Sequence, residues 1–283
     1  MATKTKQKYS VGNWIGHVFF LALTIIWLAP LAIVLINSFK TRTSVNREPF
    51  SIPAGETFVG WENYEEALFG YGFIDAIWWT VVITVLSVGL ILLCTSMAGW
   101  YITRLKNKWT SAFYYTLVIS MVVPFQMVMY TLSFVADRLG FNTPWLLPIV
   151  YLGFGAGMAT FMFSGAAKSI PIEIEEAAMI DGASPLKTFF SVVAPLLKTN
   201  YITVGILQIM WIWNDFLLPY LVLNINNYKT ISIIIQYMRG SYGRVDMGST
   251  MAALVLAIIP VIIFYAFGQK YIISGVTAGA VKG

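Results

Sequence analysis

The sequence has few charged residues and almost none of the side chains that build disulfides. Charged residues occupy 11% of the 283 positions and hydrophobic residues 58%, whereas a soluble domain carries about 25% charged residues. This composition is typical of a membrane protein. Cys94 is the only cysteine, so the chain cannot form an internal disulfide. It lies in an apolar run, where we expect it to pack as a small apolar residue.

The chain also lacks motifs for metal or nucleotide chemistry. Its only histidine is His17, and no group of His, Cys, Asp and Glu has the spacing of metal ligands. A phosphate-binding loop needs glycines ahead of a Lys-Ser or Lys-Thr pair. The nearest pair, Lys168 with Ser169, has Ala167 and Met162 where glycines belong. We therefore predict that the chain is not an enzyme and binds no metal or cofactor.

Long apolar runs are what the sequence does contain. About six runs approach or exceed the ~20 residues that a transmembrane helix needs. They lie at roughly 14–36, 76–103, 111–135, 145–166, 202–223 and 248–267. We predict an all-α membrane protein with about six transmembrane helices, forming a single transmembrane domain over residues 1–283.

Lysine and arginine are distributed unevenly among the segments that join these runs. With the N-terminus in the cytoplasm, most of the 18 basic residues fall in cytoplasmic segments. Cytoplasmic loops of membrane proteins carry such an excess. The sequence therefore predicts that both termini and the segment 168–198 are cytoplasmic.

The cytoplasmic segment 168–198 has the pattern of a helical hairpin. Pro171 suits the first position of a helix, and Glu173, Glu175 and Glu176 follow in its first turns, where the helix dipole favours negative charge. Gly182 can adopt the left-handed conformation that ends a helix.

A second helix is expected directly after this turn, with Ser184 as its N-cap and Pro185 at its first position. Pro195 is expected to bend or end it. An apolar stripe is predicted on one face, formed by Leu186, Phe189, Phe190 and Val193. By pattern alone, an amphipathic loop helix resting on the membrane surface explains the segment equally well.

Residue spacing in this hairpin resembles the EAA loop of ABC importer permeases, whose pattern is EAA, three residues, Gly, nine residues, and I-x-L-P. The matching residues are Glu176, Ala177, Ala178, Gly182 and Pro195, with Val192 and Ala194 in place of the usual Ile and Leu. The longer form "EAAMIDGAS" and the downstream "WNDFLLPY" are similar to carbohydrate permeases related to the maltose system's smaller membrane subunit. Further resemblance lies in Glu62, Asn63 and Tyr64, in Arg104 and Leu105, and in the tail "GVTAGAVKG".

The resemblance implies a MetI-like permease subunit of a binding-protein-dependent importer in a bacterial cytoplasmic membrane. In that family the EAA helix docks into a cleft of an ATP-hydrolysing subunit and transmits its closure into the membrane. The coupling residues implied are Glu176, Ala177, Ala178, Asp181, Gly182 and Pro195. The partners implied are a second homologous permease, two ATPase subunits that bind ATP and Mg, an extracytoplasmic solute-binding protein, a sugar and membrane lipid, but no nucleic acid.

One carboxylate stands within an apolar run and suggests a substrate path. Asp215 and Trp211 are four residues apart, next to Gln208 and Asn214. An aromatic plane beside hydrogen-bonding groups suits a sugar. Equally, Asp215 and Asn214 could cap a helix break before Pro219.

Gln126 and Tyr130, four residues apart after Pro124, are two further candidates for the substrate path. Interhelical hydrogen bonds are the interpretation that we favour for both.

We predict that the chain is the membrane-spanning subunit of an ABC importer for a sugar or oligosaccharide. An ion-coupled secondary carrier would bury ionisable residues along its path, and the apolar runs hold few of them. A non-transporting membrane scaffold remains a third alternative. The sequence does not specify the sugar, its chain length, the partners' identities or the type of bacterial envelope.

Overall fold

The computed structural model describes the backbone of residues 11–240 and 246–280, and the side chains of 14–239 and 246–269. The N-terminal lysines and Arg244 lie outside these ranges. Almost all of the regular structure described is helical. The helices are α1 (Val11–Asn37), α2 (Arg42–Arg47), α3 (Glu62–Glu65), α4 (Phe73–Arg104), α5 (Lys108–Ser120), α6 (Phe125–Arg138), α7 (Leu147–Ala167), α8 (Ile172–Ile180), α9 (Pro185–Thr188), α10 (Ala194–Leu196), α11 (Lys198–Asn214), α12 (Leu217–Val222), α13 (Ile231–Gly240) and α14 (Met247–Ala280).

Four helices are long and apolar enough to cross a membrane. They contain Trp14–Asn37, Phe73–Arg104, Leu147–Ala167 and Met247–Gln269. The count rises to six if each of two bent helix pairs forms one span. These pairs are Lys108–Ser120 with Phe125–Arg138, bent by 106°, and Pro185–Leu196 with Lys198–Asn214, bent by 78°. The predicted all-α membrane fold is confirmed.

Two of the predicted spans differ from the structure because they are interrupted. The run 111–135 breaks between Ser120 and Phe125, where Pro124 lacks a backbone N–H and disfavours a helical conformation in the residue before it. The run 202–223 breaks after Asn214, where Asp215 has an extended backbone with ψ 129°. Apolar composition alone does not locate such breaks.

By their internal contacts, the residues group into two compact units. One comprises the described residues up to Tyr71 together with Met238–Leu256. In it the side-chain amide of Asn63 donates to the carbonyls of Ser38 and Lys40, both at 2.8 Å, and orders the segment after α1. The predicted single domain remains a prediction.

The other unit, Gly72–Tyr237 with the described residues from Ala257 onward, contains the two groups of functional candidates. Its centre is the packing of α4 along α7, joined by α11. Gly99 permits this approach, because a Cβ added there would lie 2.9 Å from both the Cβ of Phe163 and the backbone N of Ser164. Small residues at such contacts are typical of membrane helix pairs.

Candidate functional site

The first candidate site is the hairpin formed by α8, α9 and the turns that follow them. α8 begins at Ile172, one residue later than predicted, since Pro171 occupies the N-cap. Its end is fixed by Gly182, whose φ of +82° is the left-handed conformation expected of a glycine there. Gly182 N–H donates to the Met179 carbonyl and Ala183 N–H to the Ala178 carbonyl, both at 3.0 Å, which is a Schellman cap.

The second arm starts as predicted but buries a different face. The Ser184 hydroxyl accepts from the Lys187 N–H at 3.4 Å, and Pro185 opens α9. A π-helical turn, Phe189–Val193, follows. Phe189 and Val193 are fully buried, whereas Leu186 and Phe190 are 59% and 53% exposed.

The predicted four-residue stripe is therefore wrong. Phe189 and Phe190 are consecutive, and consecutive helical residues point roughly 100° apart. One narrow face cannot bury both of them, and the fold buries the pair formed by Phe189 and Val193.

Most of the predicted coupling residues are accessible to a partner. Glu176, Ala177, Asp181, Gly182 and Pro195 are exposed, and Ala178 is half-buried. Beside them Ile180 is 85% exposed and Met179 47% exposed. α8 thus presents carboxylates and apolar side chains on the same free surface.

One carboxylate of α8 does not belong to that surface. Glu175 is 2% exposed and forms an ion pair with Arg104 of α4, with Nη2 and Oε1 2.6 Å apart. Arg104 Nε also donates to Oε1 and Oε2 of Glu175, at 3.0 and 3.2 Å. Trp100 Nε1 donates to Oε2 at 2.9 Å. Removing one member of a buried ion pair costs about 3–5 kcal/mol, since the other charge is left unpaired.

Sequence reasoning missed this pair. It placed Glu175 with its neighbours as helix-dipole charges, and it noted Arg104 only for its resemblance. The available signal was weak: two opposite charges in a chain with 11% charged residues, both in segments predicted to be cytoplasmic.

The second candidate site surrounds Asp215, between α11 and α12. Its Oδ1 accepts from the backbone N–H groups of Leu217 and Leu218, at 3.0 and 3.5 Å. Asp215 precedes the N-cap residue Phe216, and its side chain thus caps the first turn of α12. Its Oδ2 accepts from the hydroxyl of Tyr151 on α7 at 3.0 Å. The ring of Tyr151 meets Trp211 edge to face, with centroids 5.5 Å apart. Trp211 is 41% exposed.

Asp215 and Trp211 are therefore joined through Tyr151, a residue that the sequence did not single out. Tyr151 is fully buried.

Gln208 and Asn214 make contacts elsewhere. Gln208 is 1% exposed and donates to the Gly155 carbonyl at 3.4 Å. Asn214 is exposed and donates to the Met210 carbonyl at 2.7 Å.

Gln126 and Tyr130 lie exposed on α6. Within the part of the chain that the structure describes, neither forms the interhelical hydrogen bond that we favoured. Tyr130 instead borders a cavity of about 460 Å³, which is lined by Ser133, Asp137, Asn142 and Asn224 among others.

Comparison with known proteins finds a family match over the part of the chain that contains both candidate sites. Residues 91–278 match the family described as "Binding-protein-dependent transport system inner membrane component". The chain is 36% identical to the "Probable starch degradation products transport system permease protein AmyC" of Thermoanaerobacterium thermosulfurigenes, over 98% of this chain and 99% of the relative. It is 32% identical to the "Multiple sugar-binding transport system permease protein MsmG" of Streptococcus mutans, over 98% and 100%.

A solved structure has the same fold. It is described as a bacterial ABC transporter involved in the import of the acidic polysaccharide alginate. The superposition has a TM-score of 0.78 and covers 94% of this chain and 99% of the alginate transporter's chain, at 20% sequence identity.

Proposed function

Because the chain belongs to the family of binding-protein-dependent transport system inner membrane components, we propose that it moves a sugar or oligosaccharide inward across a bacterial cytoplasmic membrane. It is a multi-pass permease subunit and not the ATPase of its system. The observation that carries the proposal is the free surface of α8, which presents Glu176, Ala177 and Asp181 beside Ile180. The names of the relatives AmyC and MsmG support a sugar as the transported class.

The energy source is a separate polypeptide that binds ATP and Mg. Lys168 and Ser169 belong to the closing turn of α7, where their N–H groups donate to the carbonyls of Ser164 and Ala166. A phosphate-binding loop instead directs a row of free backbone N–H groups at the phosphates.

Docking of the ATPase occurs on α8. Carboxylates that flank exposed apolar side chains suit a cleft with a basic rim, since charge fixes orientation while apolar burial provides affinity. By resemblance, ATP closes a pair of ATPase subunits, the α8 hairpins move with them, and the permease pair opens outward. Hydrolysis returns the complex to the inward-facing state.

A second homologous permease and an extracytoplasmic solute-binding protein complete the assembly. The family's description supports the binding protein. The most apolar stretch of α1 has no residue buried within this chain, and its Trp27 is 77% exposed. This surface is covered by lipid or by the second permease. The N-terminus, the C-terminus and α8 lie on the cytoplasmic side, following the distribution of lysine and arginine.

The candidate substrate path is formed by Trp211 and Asp215, which are partly exposed, with the buried Tyr151 between them. An indole face beside a carboxylate that already accepts from a phenol can stack on a sugar ring and accept from its hydroxyls. Tyr130 borders a cavity whose polar lining, Ser133, Asp137, Asn142 and Asn224, can accommodate the hydroxyl groups of a sugar.

Gentle purification of the tagged chain from its native membrane tests the assembly, with mass spectrometry of the proteins that accompany it. We expect an ATPase and a second permease in stoichiometric amounts. Recovery of the chain alone, or as a homo-oligomer without an ATPase even after mild crosslinking, would contradict the proposal and favour a secondary carrier.

A further inference from the structure

The glutamates of α8 are divided between two surfaces. Glu173 and Glu176 are exposed, whereas Glu175 is buried against the membrane-embedded helices. The short helix α8 therefore carries one predicted partner-binding carboxylate, Glu176, and one carboxylate that attaches it to the rest of the chain, Glu175.

The guanidinium of Arg104 joins three segments of the chain at that attachment. It is the last residue of α4, and it binds Glu175 of α8. Its Nη2 also donates to the carbonyl of Ala167, the last residue of α7, at 3.2 Å and to that of Ile170 at 2.9 Å. One side chain thus holds the cytoplasmic ends of α4 and α7, the connection between α7 and α8, and α8 itself.

Trp100, one turn earlier on α4, extends this attachment to the second arm of the hairpin. Its Nε1 donates to Glu175, and its ring packs on Phe189, with centroids 5.4 Å apart. Phe189 is fully buried. The two arms of the hairpin are therefore held by side chains of α4 that lie four residues apart.

We propose that Arg104, Glu175 and Trp100 are positioning residues that make α8 move as one body with the cytoplasmic ends of α4 and α7. This inference rests on the proposed function, in which a separate ATPase displaces α8. The covalent route from α7 to α8 is the short segment 168–171, in which Pro171 has an extended backbone with ψ 133°. Without the attachment, rotation in that segment would absorb the displacement before it reached α4.

Electron spin resonance distances test the attachment within this chain. In a Cys94→Ser background, which removes the only cysteine of this chain, spin labels on cysteines introduced at Ile172 on α8 and Tyr101 on α4 report their separation. Both positions are exposed, at 46% and 52%. We expect one narrow distance distribution in the parent protein, purified as the complex, and a broadened one in Arg104→Gln and Glu175→Gln.

The matched control is Glu173→Gln, which removes an exposed carboxylate from the same turn of α8. It is expected to keep the narrow distribution. Arg104→Lys retains the positive charge, but its ammonium group cannot bind the carboxylate and both carbonyls at once as the guanidinium does. We expect a distance distribution of intermediate width. This variant also tests the proposal if Arg104→Gln does not fold. Unchanged distributions in Arg104→Gln and Glu175→Gln would overturn the proposal.

Transport by the reconstituted complex provides the second readout. The probes are radiolabelled maltotriose, raffinose and xylotriose, and the measured quantity is sugar imported per ATP hydrolysed. We expect Arg104→Gln and Glu175→Gln to lower this ratio by roughly 2- to 30-fold while ATP hydrolysis continues, the range found for residues that transmit coupling. Glu173→Gln should match the parent.

The two proposals fail in different ways. A complex without any ATPase would refute the proposed function even if the spin-label distances behaved as expected. ATP-driven uptake with an unchanged ratio in Arg104→Gln and Glu175→Gln would refute only the attachment.

Discussion

At the scale of single residues, Asp215 serves two partners with its two carboxylate oxygens. Oδ1 caps α12, and Oδ2 accepts from Tyr151. The sequence left a capping role and a substrate role equally weighted. The structure shows the cap. The substrate role remains a prediction, and the neighbouring Trp211 is the feature that supports it.

Replacement of Asp215 by Asn separates these roles. Asn is as good an N-cap as Asp, so we expect the melting temperature of the purified complex to stay close to that of the parent. Sugar uptake should fall, because the amide loses one acceptor oxygen and the charge.

Asp215→Ala is the comparison variant. It removes the cap as well, and we expect it to lower stability by about 1 kcal/mol. Parental uptake by a stable Asp215→Asn protein would assign Asp215 to capping alone.

At the scale of elements, the packing of α4 on α7 fixes the helix ends to which the hairpin of α8 and α9 is attached. The two helices approach at Gly99, where the backbone of Ser164 leaves no room for a side chain. Arg104 and Trp100, which hold α8, extend from the same end of α4. Loss of the close approach should therefore affect both stability and coupling.

Gly99→Ala tests the packing of α4 on α7. A methyl group 2.9 Å from both Phe163 Cβ and Ser164 N must push the helices apart, and overpacking of this kind costs about 1–3 kcal/mol. We expect a lower melting temperature for the purified complex.

Gly89→Ala on the same helix is the matched control, because a Cβ added there meets nothing within 4 Å. It should leave stability unchanged or raise it slightly, since Ala is the better helix former. Equal melting temperatures for Gly99→Ala and Gly89→Ala would show that α4 and α7 can separate at Gly99 without loss of stability.

Short-range sequence rules predicted the helix ends of the hairpin correctly, but they did not predict which of its side chains are buried. Gly182, Ser184 and Pro185 have the roles that short-range rules assign them, because caps depend on residues only a few positions apart. The burial of Phe189 in place of Phe190 and the pairing of Glu175 with Arg104 depend on helices distant in the sequence. No periodicity within one segment contains that information.

At the scale of the whole molecule, the apolar runs predicted the class of fold correctly because bilayer thickness fixes their length. The break after Ser120 escaped prediction, since apolar side chains continue across it. The break after Asn214 was one of the two alternatives that the sequence left open for Asp215. Tyr151 escaped it too, because a tyrosine in an apolar run is ordinary until a carboxylate lies beside it.

ATP dependence of uptake distinguishes an importer from an ion-coupled carrier. We expect the reconstituted complex, with ATP on the side of α8 and its solute-binding protein on the other, to accumulate at least one of the three labelled sugars. Accumulation should persist when ionophores collapse proton and sodium gradients, because the described spans bury few ionisable groups. Loss of uptake with the gradients, or uptake without ATP, would indicate a secondary carrier.

The most direct test of the central claim is a photocrosslink from the free surface of α8. A benzophenone amino acid at Ile180, which is 85% exposed, is expected to capture a polypeptide that carries the G-x-x-x-x-G-K-[ST] loop of an ATPase. The same probe at Phe161, 53% exposed on α7, should capture lipid or a second permease instead. Absence of an ATPase from the Ile180 products, in cells whose uptake through this chain remains intact, would contradict the account.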